Sequence, residues 1–343
     1  MSSKAKILLV YTGGTIGMSK DFETGALKAF NFGKLIQKIP EIKQLECEIE
    51  SISFEHPIDS SNMNPEMWTK IAAIIEENYN AYDGFVVLHG SDTMSYSASA
   101  LSFMLENLAK PVVFTGSQLP IGDLRTDAKE NLITAIQIAS LQENGKPVIT
   151  EVCLYFEYKL YRGNRTSKVN AEHFKAFTAP NYPELVESGV HLTLNRHLFL
   201  PVNKDAKLIV HKNLDNHVAI IKMFPGMSEI VLASILETKG LRGIILETYG
   251  SGNAPTEDWF LNLIEKAIKS GMHIVNVTQC SGGSVNMGQY ETSTALKSLG
   301  VISGKDITTE AAITKLMYLL GHNIPQNEFK DIFETALRGE ISL

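Results

Sequence analysis

Through the first half of the chain, short apolar runs alternate with amphipathic stretches. "KILLVYT", "EIESISFEH", "GFVVLHG" and "KPVVFTG" have strand length and are rich in β-branched and aromatic residues, so they predict four strands. Between them, "NPEMWTKIAAIIEENYN" places Met67, Trp68, Ile71 and Ile75 at helical spacing, behind Asn64 as a capping residue and Pro65 in the first turn. "SYSASALSFMLENLA" and "DAKENLITAIQIASLQ" predict two further helices. Strand–helix–strand repetition specifies βαβ units and a mostly parallel sheet flanked by helices. Ligands of such sheets bind beyond the carboxyl ends of the strands.

From about Lys159 to Asn216 the periodicity fails, which predicts irregular structure and a connector. It resumes with "HVAIIKMFPG", a helix from Ser228, "GIILETYG", a helix from Asp258, "MHIVNVTQC" and helices to the end. The expectation is a two-domain α/β protein: a larger N-terminal catalytic domain over residues 1–190, a linker over 191–216, and a smaller C-terminal α/β domain over 217–343.

Composition narrows the function. With 343 residues, 44% of them hydrophobic, the chain can bury two cores. A net charge of -7 leaves no electrostatic footprint for nucleic acid or an anionic membrane, so the expected partner is a small molecule. Cys47, Cys153 and Cys280 lack a C-x-x-C spacing, which argues against a disulfide framework or zinc and for a reducing compartment. "MSSKAK" leads directly into a strand without a secretory apolar region, and no apolar run nears the ~20 residues of a membrane span. The expectation is a soluble cytoplasmic protein. Nine histidines without an H-E-x-x-H pair make a metal site unexpected.

Chemistry accumulates where the first four strands end. "YTGGTIG" gives Gly13, Gly14 and Thr15; "IDSSN" gives Asp59, Ser60 and Ser61; "HGSDT" gives Gly90, Ser91, Asp92 and Thr93; "TGSQ" gives Gly116 and Ser117. Glycines at the first turn are expected to clear the backbone for a ligand, leaving Thr15 at the closest approach. Each turn alone is ordinary capping and turn chemistry. Ser91 and Asp92 also read as caps of the helix near Thr93, Asp59–Asn62 as a polar lead into the helix at Pro65, and His89 as a satisfied core histidine. If the strands are parallel, however, the four turns converge on one sheet edge. A P-loop lysine, a G-x-G-x-x-G fingerprint and a G-x-S-x-G elbow are all missing. What remains is hydroxyl nucleophiles, a carboxylate and backbone donors, with a partly dry lysine as an available base.

"TGGTIG", "HGSDTM", "TGSQLPIGDLRTDA" and "RGNRTSK", taken in order, resemble the bacterial-type L-asparaginases, and closely their cytoplasmic type I branch; "YGSGNAP" and "VNMG" extend the likeness into the second half. The resemblance implies two α/β domains, assembly as a homodimer or homotetramer, hydrolysis of L-asparagine and no cofactor. By the same resemblance Thr15 is the nucleophile that forms an acyl-enzyme, and Ser91, Asp92 and Lys168 are the group that activates water or relays the proton. Lys168 acts as a base if held partly dry and otherwise as a cationic partner. Asp59, Ser60 and Ser61 hold the α-carboxylate and α-amino groups, with Asp92 also reaching the amine. Gly14, Gly90 and Ser117 line the substrate, and Asn253 contributes from a neighbouring subunit.

Three positions depart from the family pattern. Ser91 stands where the family usually has threonine. Many relatives carry a tyrosine in the lid after "GGTI", whereas "MSKDFETGALKAF" has Gly25, Ala26 and Leu27 and no tyrosine. Some members bind asparagine as an effector through an arginine before the "YG" strand end, where this chain has Glu247 and Thr248. A carboxylate does not replace a guanidinium as a carboxylate receptor, so that effector site is not expected to work. Two other functions fit the motifs: the amidase subunit of a tRNA-dependent amidotransferase, and a non-catalytic amino-acid sensor. The acidic charge and the early first strand count against the former, and intact Thr15, Asp92 and Lys168 against the latter.

Overall fold

The first apolar run folds as β1 (Ala5–Gly13), buried along nearly its whole length. β2 (Cys47–Ile58) and β3 (Gly84–Leu88) flank it in parallel, and β4 (Val112–Thr115) and β5 (Val152–Phe156) extend the parallel set. α1 (Pro65–Asn78), α2 (Met94–Met104) and α3 (Ala128–Ala139) are the crossovers between them. The computed structural model describes residues 4–20, 27–29, 39–203, 206–288 and 291–342.

α1 begins where its capping residue dictates. The Asn64 side-chain oxygen accepts from the backbone N–H groups of Glu66 (3.0 Å) and Met67 (3.2 Å), a cap that contributes about 1 kcal/mol. Trp68, Ile71, Ala72 and Ile75 form its buried stripe, and Met67 is half-buried.

The large sheet is mixed: its four parallel pairings are continued by three antiparallel ones. After β5 the chain reverses at Glu157 and Tyr158, both at positive φ (45° and 66°), into β6 (Lys159–Arg162). β7 (Val186–Ser188) and β8 (Leu192–Leu194) continue antiparallel, giving the order β8-β7-β6-β5-β4-β3-β1-β2. Left-handed turns normally carry asparagine or glycine, so a Glu-Tyr reversal leaves no signal in the sequence. Here Asn131 of α3 secures it by accepting from the Glu157 N–H at 3.1 Å. The stretch read as a connector is also partly structured, since β8 lies within 191–216 and Ile209–Val210 pairs with Leu105–Glu106. Contacts divide the chain into a first unit ending at Lys212 and a second beginning at Asn213.

The second unit is built on a parallel four-stranded sheet, β9 (Val218–Lys222), β10 (Gly243–Thr248), β11 (His273–Thr278) and β12 (Ile302–Ser303), in that order. α4 (Glu229–Leu236), α5 (Asp258–Lys269), α6 (Glu291–Ser298), α7 (Thr309–Gly321) and α8 (Gln326–Phe333) accompany it. Leu232, Leu246, Phe260, Ile264 and Ile274 belong to its core. Among the described residues, no helix is long and apolar enough to cross a membrane.

Each unit buries one histidine that resists protonation. Burial pushes both His89 and His273 down to about 4 from the ordinary 6.5, and the His273 ring stacks on Phe329 at 3.6 Å. Since the unfolded chain takes up protons that these folded sites refuse, stability falls as pH drops from 6.5 towards 4. His273→Phe keeps the ring contact and cannot titrate. Its thermal unfolding midpoint is expected to fall less over this pH window than that of the unaltered protein; parallel losses in calorimetry would refute the assignment.

Candidate active site

Gly13 and Gly14 close β1 at positive φ (136° and 87°), and Thr15 opens the 3-10 turn Thr15–Gly17. A Cβ on Gly14 would lie 2.5 Å from the backbone nitrogen of Gly90, and one on Gly90 would lie 2.5 Å from the Ser60 hydroxyl. A Cβ on Gly13 would collide with the Ile58 carbonyl, and one on Gly116 with that of His89. The glycines therefore do something beyond the expected clearing of a path for ligand. They let four strand-end turns touch one another, and Thr15 and Ser91 each follow one member of a contacting glycine pair.

Ser91–Thr93 is a 3-10 turn, tied to the second turn by the Thr93 hydroxyl, which donates to the Ser60 carbonyl at 2.7 Å. Contrary to the capping expectation, neither Ser91 nor Asp92 caps α2; Thr93 holds that position and makes no side-chain cap. Both side chains instead meet Lys168. Its ammonium donates to the Ser91 hydroxyl at 2.9 Å and to the Asp92 carboxylate at 2.6 Å. The Lys168 side chain is 16% exposed and that of Asp92 66%, so the pair runs from the protein interior out to solvent.

The segment "RGNRTSK" delivers Lys168 from a buried frame. Arg162 pairs with Glu151 at 2.6 Å with both side chains buried, Arg165 lies over the Tyr182 ring, and the Thr166 hydroxyl donates to the Gly163 carbonyl at 2.8 Å while accepting from Ser95 of α2 at 3.1 Å. The two arginines of the motif thus have structural roles.

His89 is the satisfied core histidine that its position suggested. Trp68 donates to the Ser97 hydroxyl at 2.8 Å, and Ser97 lies 2.8 Å from His89 Nε2. Because the Gly90 carbonyl, 2.7 Å from Nδ1, only accepts, Nδ1 carries the ring proton and donates to it; Nε2 of the neutral ring then accepts from Ser97. A neutral imidazole thereby fixes the residue before Ser91.

Asp59 accepts from both the N–H and the hydroxyl of Ser61 at 2.9 Å, and these bonds hold its carboxyl below the usual range. The Ser117 hydroxyl donates inside its own turn, to the Leu119 carbonyl at 2.6 Å. Asn253 belongs to the second unit, where its backbone exchanges hydrogen bonds with Tyr249 and it lines a cleft with Phe224 and Trp259. Glu247 accepts from the Thr309 hydroxyl at 2.6 Å. Met18–Lys20 pairs with Leu27–Ala29, while residues 21–26 of the expected lid lie outside the described residues. Among the described residues, no group of three potential metal ligands occurs.

Sequence reasoning passes over Gln118. Its side-chain oxygen accepts from Ser91 at 3.0 Å, and its amide nitrogen donates to the carbonyls of Ala171 and His173, both at 3.1 Å. The "TGSQ" motif contains it, but a glutamine in a turn carries no signal of its own.

A family model for the N-terminal domain of asparaginases matches residues 6–199, and one for the glutaminase/asparaginase C-terminal domain matches residues 217–333. L-asparaginase 1 of Escherichia coli K12 is 42% identical over 99% of this chain and 98% of its own length. The crystal structure of L-asparaginase I from Vibrio cholerae superposes with a TM-score of 0.90 at 41% identity, covering 99% of this chain and 100% of that one. A glutamyl-tRNA(Gln) amidotransferase subunit from Pyrococcus abyssi is 33% identical over 98% of this chain and 77% of its own length. With both domains matched and its turns gathered at one sheet edge, the chain belongs to the asparaginase family.

Proposed function

We propose that the chain hydrolyses L-asparagine to L-aspartate and ammonia, with Thr15 as the nucleophile. The observation that carries this reading is the Lys168–Ser91–Asp92 cluster, built on the turn whose glycine contacts Gly14. The Thr15 hydroxyl attacks the side-chain amide carbon, its proton passes through the site to the amide nitrogen, the C–N bond breaks to release ammonia, and an acyl-enzyme forms on the threonine oxygen. Lys168, Ser91 and Asp92 then manage the protons of the water that releases aspartate. Backbone N–H groups at the glycine turns suit the transient oxyanion.

The zwitterionic end of asparagine needs donors for its carboxylate and an anion for its ammonium. Asp59, kept ionised by Ser61, and the exposed carboxylate of Asp92 supply the anions, while the Ser60–Ser61 turn, with Gly14, Gly90 and Ser117, lines the remainder. Asn253 completes the site from a second copy. Such an assembly is supported by α4, six of whose eight residues are apolar and which turns two of them outwards: Ile230 is 78% and Val231 49% exposed in the single chain. Sedimentation velocity is expected to give a dimer or tetramer, and a monomer would remove the role of Asn253. Three unpaired cysteines, with Cys153 buried, support a cytoplasmic location.

Ammonia release is expected from L-asparagine with hyperbolic saturation, since Glu247 offers no receptor for an effector carboxylate. Thr15→Ala should lower kcat by roughly three orders of magnitude or more. Glutamine, assayed beside it, differs by one methylene, worth about 1–3 kcal/mol of discrimination. Unchanged turnover in Thr15→Ala would overturn the nucleophile assignment. Ser91→Thr keeps the hydroxyl and adds a methyl to a half-buried position, so kcat should change by no more than about fivefold, the scale of a rotamer restraint. Loss of most turnover would show that the serine does something a threonine cannot.

A further inference from the structure

Ser91 is a serine between two partners, and its torsion is free to rotate among three wells unless something holds it. The bonds around Gln118 supply that hold. Carbonyls only accept, so Ala171 and His173 compel the Gln118 amide nitrogen to face them, which turns its oxygen towards Ser91. That oxygen also only accepts. The Ser91 proton therefore points to Gln118, and the Ser91 lone pairs face the ammonium of Lys168.

Gln118 is itself fixed. The Asp127 carboxylate accepts from the Gln118 N–H (3.0 and 3.1 Å), the Leu119 N–H (3.1 Å) and the Asn131 side chain (3.2 Å). Ala171 and His173 lie just beyond Lys168 on the same segment, where the Asn170 side chain accepts from the N–H groups of Glu172 and His173. One glutamine thus braces both sides of the Lys168–Ser91 contact.

We propose that Gln118 is a positioning residue which sets the rotamer and proton direction of Ser91, doing through a hydrogen bond what a β-methyl would do by steric restraint. It acts through Ser91 and is not assigned a contact with substrate. The consequence for turnover rests on the proposed hydrolysis, whereas the geometry of Ser91 does not.

Gln118→Met keeps the length of the side chain and removes both its acceptor and its donors. It should lower kcat for asparagine roughly tenfold, as expected for one lost hydrogen bond, with KM nearly unchanged. Adding Ser91→Thr should recover most of that loss, because β-branching restrains the torsion without Gln118. A crystal structure of Gln118→Met should show the Ser91 hydroxyl out of the 2.9 Å contact with Lys168, and that of the double variant should show it restored. Wild-type kcat in Gln118→Met, or a loss that Ser91→Thr does not relieve while Ser91 stays in place, overturns the proposal. If the unaltered protein releases no ammonia, the hydrolase reading fails instead, and the two crystal structures still decide for or against Gln118.

Discussion

Backbone against backbone is the contact on which the site depends. Gly14 lies on Gly90, Gly90 on the hydroxyl of Ser60, Gly116 on the His89 carbonyl and Gly13 on that of Ile58. None of these approaches leaves room for a methyl group without movement of main chain or of a buried side chain. A parallel sheet sets its strands about 4.8 Å apart and aligns their ends, but ordinary turns would then fan outwards. Removing Cβ atoms where adjacent turns meet compresses four strand ends into one rim. The resulting geometry is set by main chain, which moves less than side chains do, and the proposed nucleophile and its partners would need that kind of support.

A second layer then fixes what the turns present. Trp68, Ser97 and His89 form a chain of donors with a single consistent direction, ending on the Gly90 carbonyl, and burial keeps the imidazole neutral so that this direction does not reverse near neutral pH. Asp127 gathers the fourth turn in the same way. Polar groups of this kind are costly when left unmade, so a network in which each member is satisfied admits few alternative arrangements.

How much of this can be read in the chain follows from which forces are local. The strands from Ala5 to Thr115 and the helix capped by Asn64 declare themselves through apolar periodicity and capping chemistry. The antiparallel half of the sheet does not, because Glu157 and Tyr158 adopt a left-handed turn that their residue types disfavour and that Asn131, far off in sequence, secures. Thr15, Ser91 and Lys168 stand out as candidates, yet the glycines beside them read as ligand access. Contacts between Gly14 and Gly90 arise only from the sheet's assembled order. Gln118 escapes notice for the same reason: its partners, Ser91 and the carbonyls of Ala171 and His173, come from separate stretches of chain.

Two lysine–carboxylate pairs in this chain show what separates structural charge from chemical charge. Lys315 and Glu340 are fully buried and paired; the ammonium also donates to the carbonyls of Phe333 (2.7 Å) and Thr335 (2.6 Å), and the carboxylate accepts from the N–H groups of Leu337 and Arg338. Burial pushes the Lys315 ammonium down while Glu340 opposes the shift, and every donor of the lysine has an acceptor. Such a pair can only hold α7 to the chain's last turns. Lys168 and Asp92 are arranged otherwise, with the lysine mostly enclosed, the carboxylate mostly in solvent and a hydroxyl between Lys168 and Gln118. An ion pair this exposed adds little stability, so its placement is poorly explained by folding. It fits the proposed active site, in which one end of the pair is held by the protein and the other is open to substrate.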